Sequence, residues 1–453
     1  MAFLSMQNRL PKLSAQSGPK YLAIAHALEQ AIRTGELRAG EKVPPQRALA
    51  QALGVDLTTV TRAYGLLRDS GMIEGAGRLG SFVRNDALAP RPGETISDAG
   101  MNMPPQPGFA LLVDALRAGT DDLLRAGGHS PLLQYQPSGG SLHDRREAAM
   151  AFSSRGLITN EDEIVITAGG QNALYAILGT ALAPGDRLCA GRHCYPGLLA
   201  LAARFGIEVV AVDGDAAGID PDALADALAA GARAIYLTAT NDNPTTATLD
   251  LDRRTAIAAL ARRYGALIIE DDAYGLLPST PLAPLAMMAP ELSWHISSTS
   301  KIISPVLRVA HVKAPSAHDA WRLAGRIHET AVMAPPLNAA LVTHWLRKGT
   351  IAALIAGVRA ESVARQRIVA RAFAEIPYAA HPEGYHLWLT LSGAASEDDL
   401  MTAIAPLGLS VVPARAFAVR KDDPLRAVRI SIGGSIGHER LRSALEKVRD
   451  MLL

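Results

Sequence analysis

The sequence predicts a multidomain chain: a small α+β head of three helices and a hairpin, then a large α/β body ending in a smaller α+β subdomain. Three observations carry this. The 453 residues exceed one ordinary domain. Short helical patterns between residues 20 and 71 give way to two strand patterns around a Gly-rich turn. From about residue 101, apolar strand-like runs alternate with Ala/Leu-rich helical ones, as in a mostly parallel sheet covered by helices.

The first helix is expected in KYLAIAHALEQAIR, residues 20 to 33, with Leu22, Ala25, Ala27, Leu28 and Ile32 toward one face. A turn from Gly35 to Pro45 follows, and ALAQALG makes a second helix ended by Gly54. The third helix starts near Asp56 or Thr58 and stops at Gly71. MIEGAGRLGSFV then supplies two short strands. Three small helices and a hairpin in this order make a winged helix-turn-helix over residues 19–85, after a tail of residues 1–18.

Residues 86–100, polar and broken by prolines and glycines, read as a linker. The body, residues 101–453, carries the strand-like runs EIVITAG, RAIYLTAT, ALIIEDDAY and WHISSTS. HLWLTL and VRISIGG belong to the smaller subdomain, roughly 335–453.

Composition narrows the function. No apolar run approaches the ~20 residues of a membrane span, and the start lacks a signal peptide's apolar stretch, so a cytoplasmic protein is expected. Cys189 and Cys194 make no disulfide framework, and no second ligand pair follows CAGRHC, so no metal is expected. Residues 1 to 85 carry 11 Lys/Arg against 6 Asp/Glu, whereas the remainder carries 34 against 38. A basic head on a mildly acidic body suits a module that meets DNA phosphates. The chain has 8 Lys against 37 Arg, with none between Lys42 and Lys301. Where arginine supplies the generic surface charge, a lysine among small and apolar residues calls for a chemical explanation.

In a helix-turn-helix, the N-terminal residues of the second helix of the motif meet base edges and phosphates. Here these are Asp56, Thr58, Thr59, Thr61 and Arg62. Arg47, just before the preceding helix, can reach the DNA backbone, and Arg78 beside Gly80 in the wing can reach a minor groove. A helix N-cap run with solvated arginines would use the same residue types. The stretch Lys20 to Val83, with its blocks GELRAGEKVPPQRALAQALGV, TTVTRAY and GMIE…GRLGSFV, resembles the GntR superfamily of regulators. One departure is Leu57, where the superfamily often has arginine.

A second constellation lies in the body. Lys301 sits in SSTSKIISPVLR, after a strand and at a Ser-rich turn. A lysine amine forms a Schiff base with an aldehyde, and burial lowers its pKa toward that use. Ser298, Ser300 and Arg308 suit a phosphate. EDDAY ends a buried strand, where a carboxylate can pair with a protonated pyridine nitrogen. TAGGQNALYAIL puts a Gly-rich turn at a helix N-terminus, which favours an anion.

That order resembles the fold-type I aminotransferases, which use pyridoxal 5′-phosphate, over Met101 to Leu453. The resemblance implies Lys301 as the Schiff-base lysine, Asp271 at the pyridine nitrogen, Asn243 at the cofactor's phenolic oxygen, and Tyr274 as the cofactor-binding phenol of the D-x-A-Y motif. It implies Tyr195 as the ring-stacking aromatic, and Gly170, Gln171, Ser298, Ser300 and Arg308 around the phosphate. Tyr135 would reach the partner subunit's phosphate in a homodimer, and Arg429 would clamp a substrate or effector carboxylate. The family's usual glycine after NPT is Thr246 here.

Both halves together resemble the MocR branch of GntR regulators. The resemblance implies a PLP-dependent DNA-binding regulator that takes a duplex operator and a small amino-compound effector. Two alternatives stay open: a working aminotransferase with an appended head, and a regulator sensing pyridoxal phosphate itself.

Overall fold

The computed structural model describes residues 20–33, 37, 40–69, 72–75, 80–84, 100–105, 109–125, 134–393 and 395–453. The chain divides into two compact units, Met1–Ala99 and Gly100–Leu453. The expected tail, all of the expected linker except Gly100, and Arg78 lie outside the described residues.

The head holds α1 (Lys20–Arg33), α2 (Gln46–Leu53), α3 (Leu57–Asp69), β1 (Ile73–Gly75) and β2 (Ser81–Val83). Its core gathers Ile24, Leu28, Ile32, Leu49, Val60, Tyr64 and Val83. Leu22, expected on the inner face of α1, is instead 46% exposed. At about 100° per residue it lies some 200° around the helix from Ile24, which shares the inner face with Leu28. Gly54 ends α2 in the left-handed conformation, φ 61°, and its N–H reaches the carbonyls of Ala50 and Gln51. In the wing Ile73 pairs with Val83, and Lys42 bridges to Phe82 along the outer edge.

The second unit is built on seven strands: β3 (Ile164–Thr167), β4 (Arg187–Gly191), β5 (Glu208–Val212), β6 (Ala234–Leu237), β7 (Leu267–Asp271), β8 (Ser293–Ser298) and β9 (Ala310–Lys313). Their order is β3-β9-β8-β7-β6-β4-β5, and β9 runs antiparallel to both its neighbours. The strands alternate between two cores. Tyr236 and Ile269 face the helices that carry Leu174 and Leu198, whereas Ile235 and Ile268 face those carrying Leu224 and Ile257.

A four-stranded antiparallel sheet follows, ordered β10-β11-β13-β12, from β10 (Ala379–Ala380), β11 (His386–Thr390), β12 (Ser410–Pro413) and β13 (Ala427–Ser431). Val428 and Ile430 join the core with Leu441 and Leu445. The two-residue period then puts Arg429 and Ser431, both buried, on the other face. No helix of the described residues is long and apolar enough to cross a membrane.

Candidate functional site

In the head, Asp56 caps α3. Its Oδ1 accepts the Thr58 N–H at 2.7 Å and the Thr58 hydroxyl at 2.6 Å, which hold its carboxyl below the usual carboxylate range. Asp56 and Thr58 thus satisfy each other locally. The Thr61 hydroxyl donates to Gln46 Oε1 and to the Leu57 carbonyl, both at 2.9 Å, which ties α3 to α2. Arg47 is the second residue of α2 and lies inside it, not before it. Arg47 and Arg62 are exposed, and the Arg62 guanidinium stacks 4.0 Å from the Tyr21 ring. Thr59 is half-buried. Gly80 takes φ 109°, and a Cβ there would come within 2.9 Å of the Lys42 side chain. The sequence reading passed over Lys42 as a wing residue, although it is an exposed cation beside a glycine.

In the second unit the expected residues converge at the carboxyl ends of the parallel strands, where open α/β sheets hold their ligands. Gly169, φ 88°, and Gly170 lead from β3 into the helix Gly170–Ala181, whose first N–H groups have no acceptor within the helix. A Cβ on Gly169 would meet the Arg308 guanidinium at 2.9 Å, so the glycine is what admits that side chain. Arg308 itself has φ 50° and donates from Nη2 to the Ala168 carbonyl at 3.0 Å. Ser298 accepts the Ser300 N–H at 3.3 Å and starts the short turn that carries Lys301. Ser300 Oγ is buried without a hydrogen-bond partner, and so is Gln171 Oε1. Two adjacent glycines, an arginine and an orphaned hydroxyl form a cup fit for a phosphate.

Beside the cup stands Lys301, whose Nζ donates to the Asn102 carbonyl. Burial and the neighbouring Arg429 lower its pKa to about 8, against the opposing charge of Asp271. Burial pushes Asp271 up to about 6, although Tyr236 donates its phenol to Asp271 Oδ2 at 3.1 Å. Of the acids in EDDAY only Asp271 takes this side. Asp272 pairs with Arg155 at 3.3 Å and His295 at 3.6 Å, and Glu270 meets His295 at 2.9 Å. The pleat decides which is which.

Asn243 lies in the turn after β6, behind a cis bond to Pro244, and its Oδ1 accepts Arg429 Nη1 at 3.0 Å. Thr246 adopts φ 66°, the left-handed backbone that the family's glycine would take freely, and its N–H still closes onto the Asp242 carbonyl at 2.7 Å. The Arg429 guanidinium also lies 5.1 Å from the Phe417 ring and donates from Nη2 to the Gly100 carbonyl. Tyr274 is buried, and its phenol accepts from Asn102 Nδ2 at 3.0 Å. Tyr195 folds back over Gly197, where a Cβ would stand 2.3 Å from its ring. Tyr135 is 83% exposed and is not part of this cluster.

The sequence reading missed Tyr236, His386 and Asn102. Tyr236 and His386 carry no signal in the sequence beyond that of strand residues. Asn102 had no signal at all, yet it donates to Tyr274, meets His386 Nδ1 at 3.1 Å and accepts the Ser431 hydroxyl at 2.6 Å. Cys189 and Cys194 are free and buried.

A helix-turn-helix head ahead of an aminotransferase-like body defines a class of two-part regulators, and comparison with known proteins places the chain within it. Residues 20–83 match the model of bacterial regulatory proteins of the gntR family, and residues 100–448 match that of aminotransferase class I and II. The HTH-type transcriptional regulator YdeF of Bacillus subtilis (strain 168) is 29% identical over 450 residues, covering 98% of this chain and 96% of its own. The vitamin B6 salvage pathway transcriptional repressor PtsJ of Salmonella typhimurium (strain LT2) is 30% identical over 417 residues, covering 90% and 93%. Among solved structures, the multiple substrate aminotransferase of Thermococcus profundus superposes with a TM-score of 0.71 at 22% identity, covering 78% of this chain and 90% of that one, and so shares the fold. The chain belongs to the MocR subfamily of GntR regulators, with an aminotransferase class I and II domain behind its DNA-binding head.

Proposed function

We propose that this DNA-binding regulator holds pyridoxal 5′-phosphate in its second unit and answers to a small amino compound carrying a carboxylate. The observation that carries the reading is the convergence of Lys301, Asp271 and the orphaned Ser300 hydroxyl at one end of the sheet. When bound, the cofactor supplies an aldehyde carbon that condenses with a primary amine. Lys301 offers that amine from a site where burial lowers its pKa to about 8, so that more of it is unprotonated near neutral pH than in an ordinary lysine. Asp271 pairs with the ring nitrogen, and Tyr274 and Asn243 reach the phenolic oxygen. Gly170, Gln171, Ser298, Ser300 and Arg308 hold the phosphate, with Tyr195 over the ring. Arg429 reads the effector's carboxylate. Tyr135, exposed on the single chain, completes the phosphate site of a partner subunit in a homodimer. In the head, Arg47, Arg62, Thr59, Lys42 and the wing around Gly80 meet a duplex operator in the cytoplasm.

Two experiments test this. Borohydride reduction of the purified protein with the cofactor should fix it on a peptide containing Lys301; labelling at Lys313 or Lys348 would overturn the site. Titration with a panel of amino acids, following Schiff-base absorbance and the DNA footprint together, tests the response. A second reading, that the regulator senses pyridoxal phosphate itself, draws support from PtsJ, named for vitamin B6 salvage. In that case the footprint responds to the cofactor alone and amino acids add nothing. Sustained turnover of amino and keto acids would point instead to a working aminotransferase.

A further inference from the structure

The stretch from Gly100 to Asn102, where the chain enters the second unit, occupies the groups that a bound effector would use. Gly100 offers its carbonyl to Arg429 Nη2, and Asn102 offers its carbonyl to Lys301 Nζ. The two residues dock along β13 in step: Gly100 on Arg429, Asn102 on Ser431, two residues farther. Beyond them the chain is pinned. The Gly434 N–H donates to the Met103 carbonyl at 3.1 Å and the Pro104 carbonyl at 3.3 Å, and a Cβ on Gly433 would collide with the Met103 carbonyl at 1.7 Å.

We propose that Gly100–Asn102 is a latch that an effector carboxylate displaces, with Asn102 as the positioning residue that links the latch to Tyr274. This rests on the functional reading above and names how that site regulates. The physical ground is competition for one guanidinium. A carboxylate takes two parallel N–H donors from an arginine, and such charge-assisted bonds are roughly twice as strong as those to a neutral carbonyl. Nη1 gives one of its two N–H groups to Asn243 and Nη2 one of its two to Gly100, so a carboxylate that takes the Nη1–Nη2 edge competes with the Gly100 carbonyl for Nη2. Because Met103 and Pro104 are anchored, the displacement is taken up by Gly100, Met101 and Asn102 themselves. Asn102 couples the cofactor end to the same event. Its amide donates to the Tyr274 oxygen, which polarises the phenol as a donor toward the cofactor's phenolic oxygen.

The test uses the full-length protein loaded with pyridoxal phosphate and two reagents, aminooxyacetate and methoxyamine. Each aminooxy nitrogen adds to the carbon bonded to Lys301 and expels the lysine amine, giving a carbon–nitrogen double bond to the reagent; only aminooxyacetate carries a carboxylate. Amide hydrogen exchange of residues 100–102 should become about tenfold faster with aminooxyacetate, the factor that losing a net bond of roughly 1.4 kcal/mol makes in a local opening. Methoxyamine should leave it unchanged, and in Arg429→Ala aminooxyacetate should behave like methoxyamine. Equal exchange with both reagents, after absorbance shows that both have reacted, overturns the latch and leaves the cofactor assignment standing. If neither reagent changes the absorbance, the cofactor assignment itself fails. Asn102→Ala gives an independent readout: with Tyr274 a weaker donor, the Schiff-base absorbance should titrate at higher pH than in the parent. An unchanged titration removes Asn102 from the positioning role.

Discussion

Arg429 and Asn243 stand 186 residues apart in sequence, yet the guanidinium Nη1 donates to the Asn243 side-chain carbonyl at 3.0 Å. This bond joins the face of the small sheet opposite its Val428–Ile430 side to the turn that follows β6. It fixes the guanidinium plane while leaving the other edge to a weaker partner, the Gly100 carbonyl. The cation is therefore pre-oriented, and the anion it suits is a carboxylate.

Removing it should separate sensing from cofactor holding. Arg429→Ala is expected to bind pyridoxal phosphate and DNA, because the cup at Gly170, Ser300 and Arg308 and the exposed Arg47 and Arg62 do not depend on it. Its response to an effector should weaken by about 2–4 kcal/mol, roughly 30- to 1000-fold in effector concentration. Footprints of parent and variant across an effector titration decide this; an unchanged response means the carboxylate is read elsewhere.

The pH dependence of cofactor uptake has a definite sign. Burial and Arg429 hold Lys301 at about 8, below the ordinary lysine value of roughly 10.4. The amine is therefore mostly protonated below pH 8 and mostly free above it. Stopped-flow mixing of cofactor-free protein with pyridoxal phosphate should give a rate that rises up to about pH 8 and then levels. In Arg429→Ala, with one opposing cation gone, the inflection should move to higher pH. A rate still climbing steeply at pH 10 in the parent would contradict the buried environment.

How much of this was legible in the sequence depends on how local each signal is. Lys301 and Asp271 were placed in one neighbourhood because each sits in a short motif at the end of a buried strand, and the structure brings them together. Asn102 was not, because its partners Tyr274 and Ser431 lie 172 and 329 residues away and nothing in MNMPP hints at them. The inner face of α1 was misjudged for another reason. KYLAIAHALEQAIR is rich in alanine, so its helical phase rests on a few large residues, and Leu22 fits a plausible but wrong stripe. The Asp56–Thr58 pair was ambiguous between cap and DNA contact, since both uses call for the same short polar side chains.

That ambiguity resolves by mutation. Asp56→Ala should lower the stability of the head by about 1 kcal/mol, the usual worth of an N-cap. Any loss of DNA affinity should follow that destabilisation. Arg47→Ala should leave melting unchanged, weaken binding to all sequences and reduce the salt slope by about one. Thermal melting and binding at several salt concentrations distinguish the two. A large affinity loss without lower stability in Asp56→Ala would make Asp56 a direct contact.

The adjacent acids Asp271 and Asp272 should respond to amide substitution in opposite ways. Asp271 faces Tyr236 and Lys301, and burial holds its pKa at about 6, so its charge is a local cost that a cationic ring nitrogen offsets. Asp271→Asn should keep or slightly raise stability while weakening the cofactor by about 10- to 100-fold, the loss of one charge-assisted bond of roughly 1.5–3 kcal/mol. In the parent the same weakening should develop as pH falls through about 6 and the carboxylate takes up its proton. Asp272 points the other way, between Arg155 and His295, with its side chain almost wholly buried. Asp272→Asn leaves the Arg155 cation without its buried counter-charge and should cost about 3 kcal/mol, toward the low end for breaking a buried pair because Arg155 keeps some contact with water. Denaturation of both variants, beside cofactor titrations at pH 5 and pH 8, checks each half. If Asp272→Asn loses cofactor affinity while Asp271→Asn keeps it, the ring-nitrogen partner has been assigned to the wrong side of the strand.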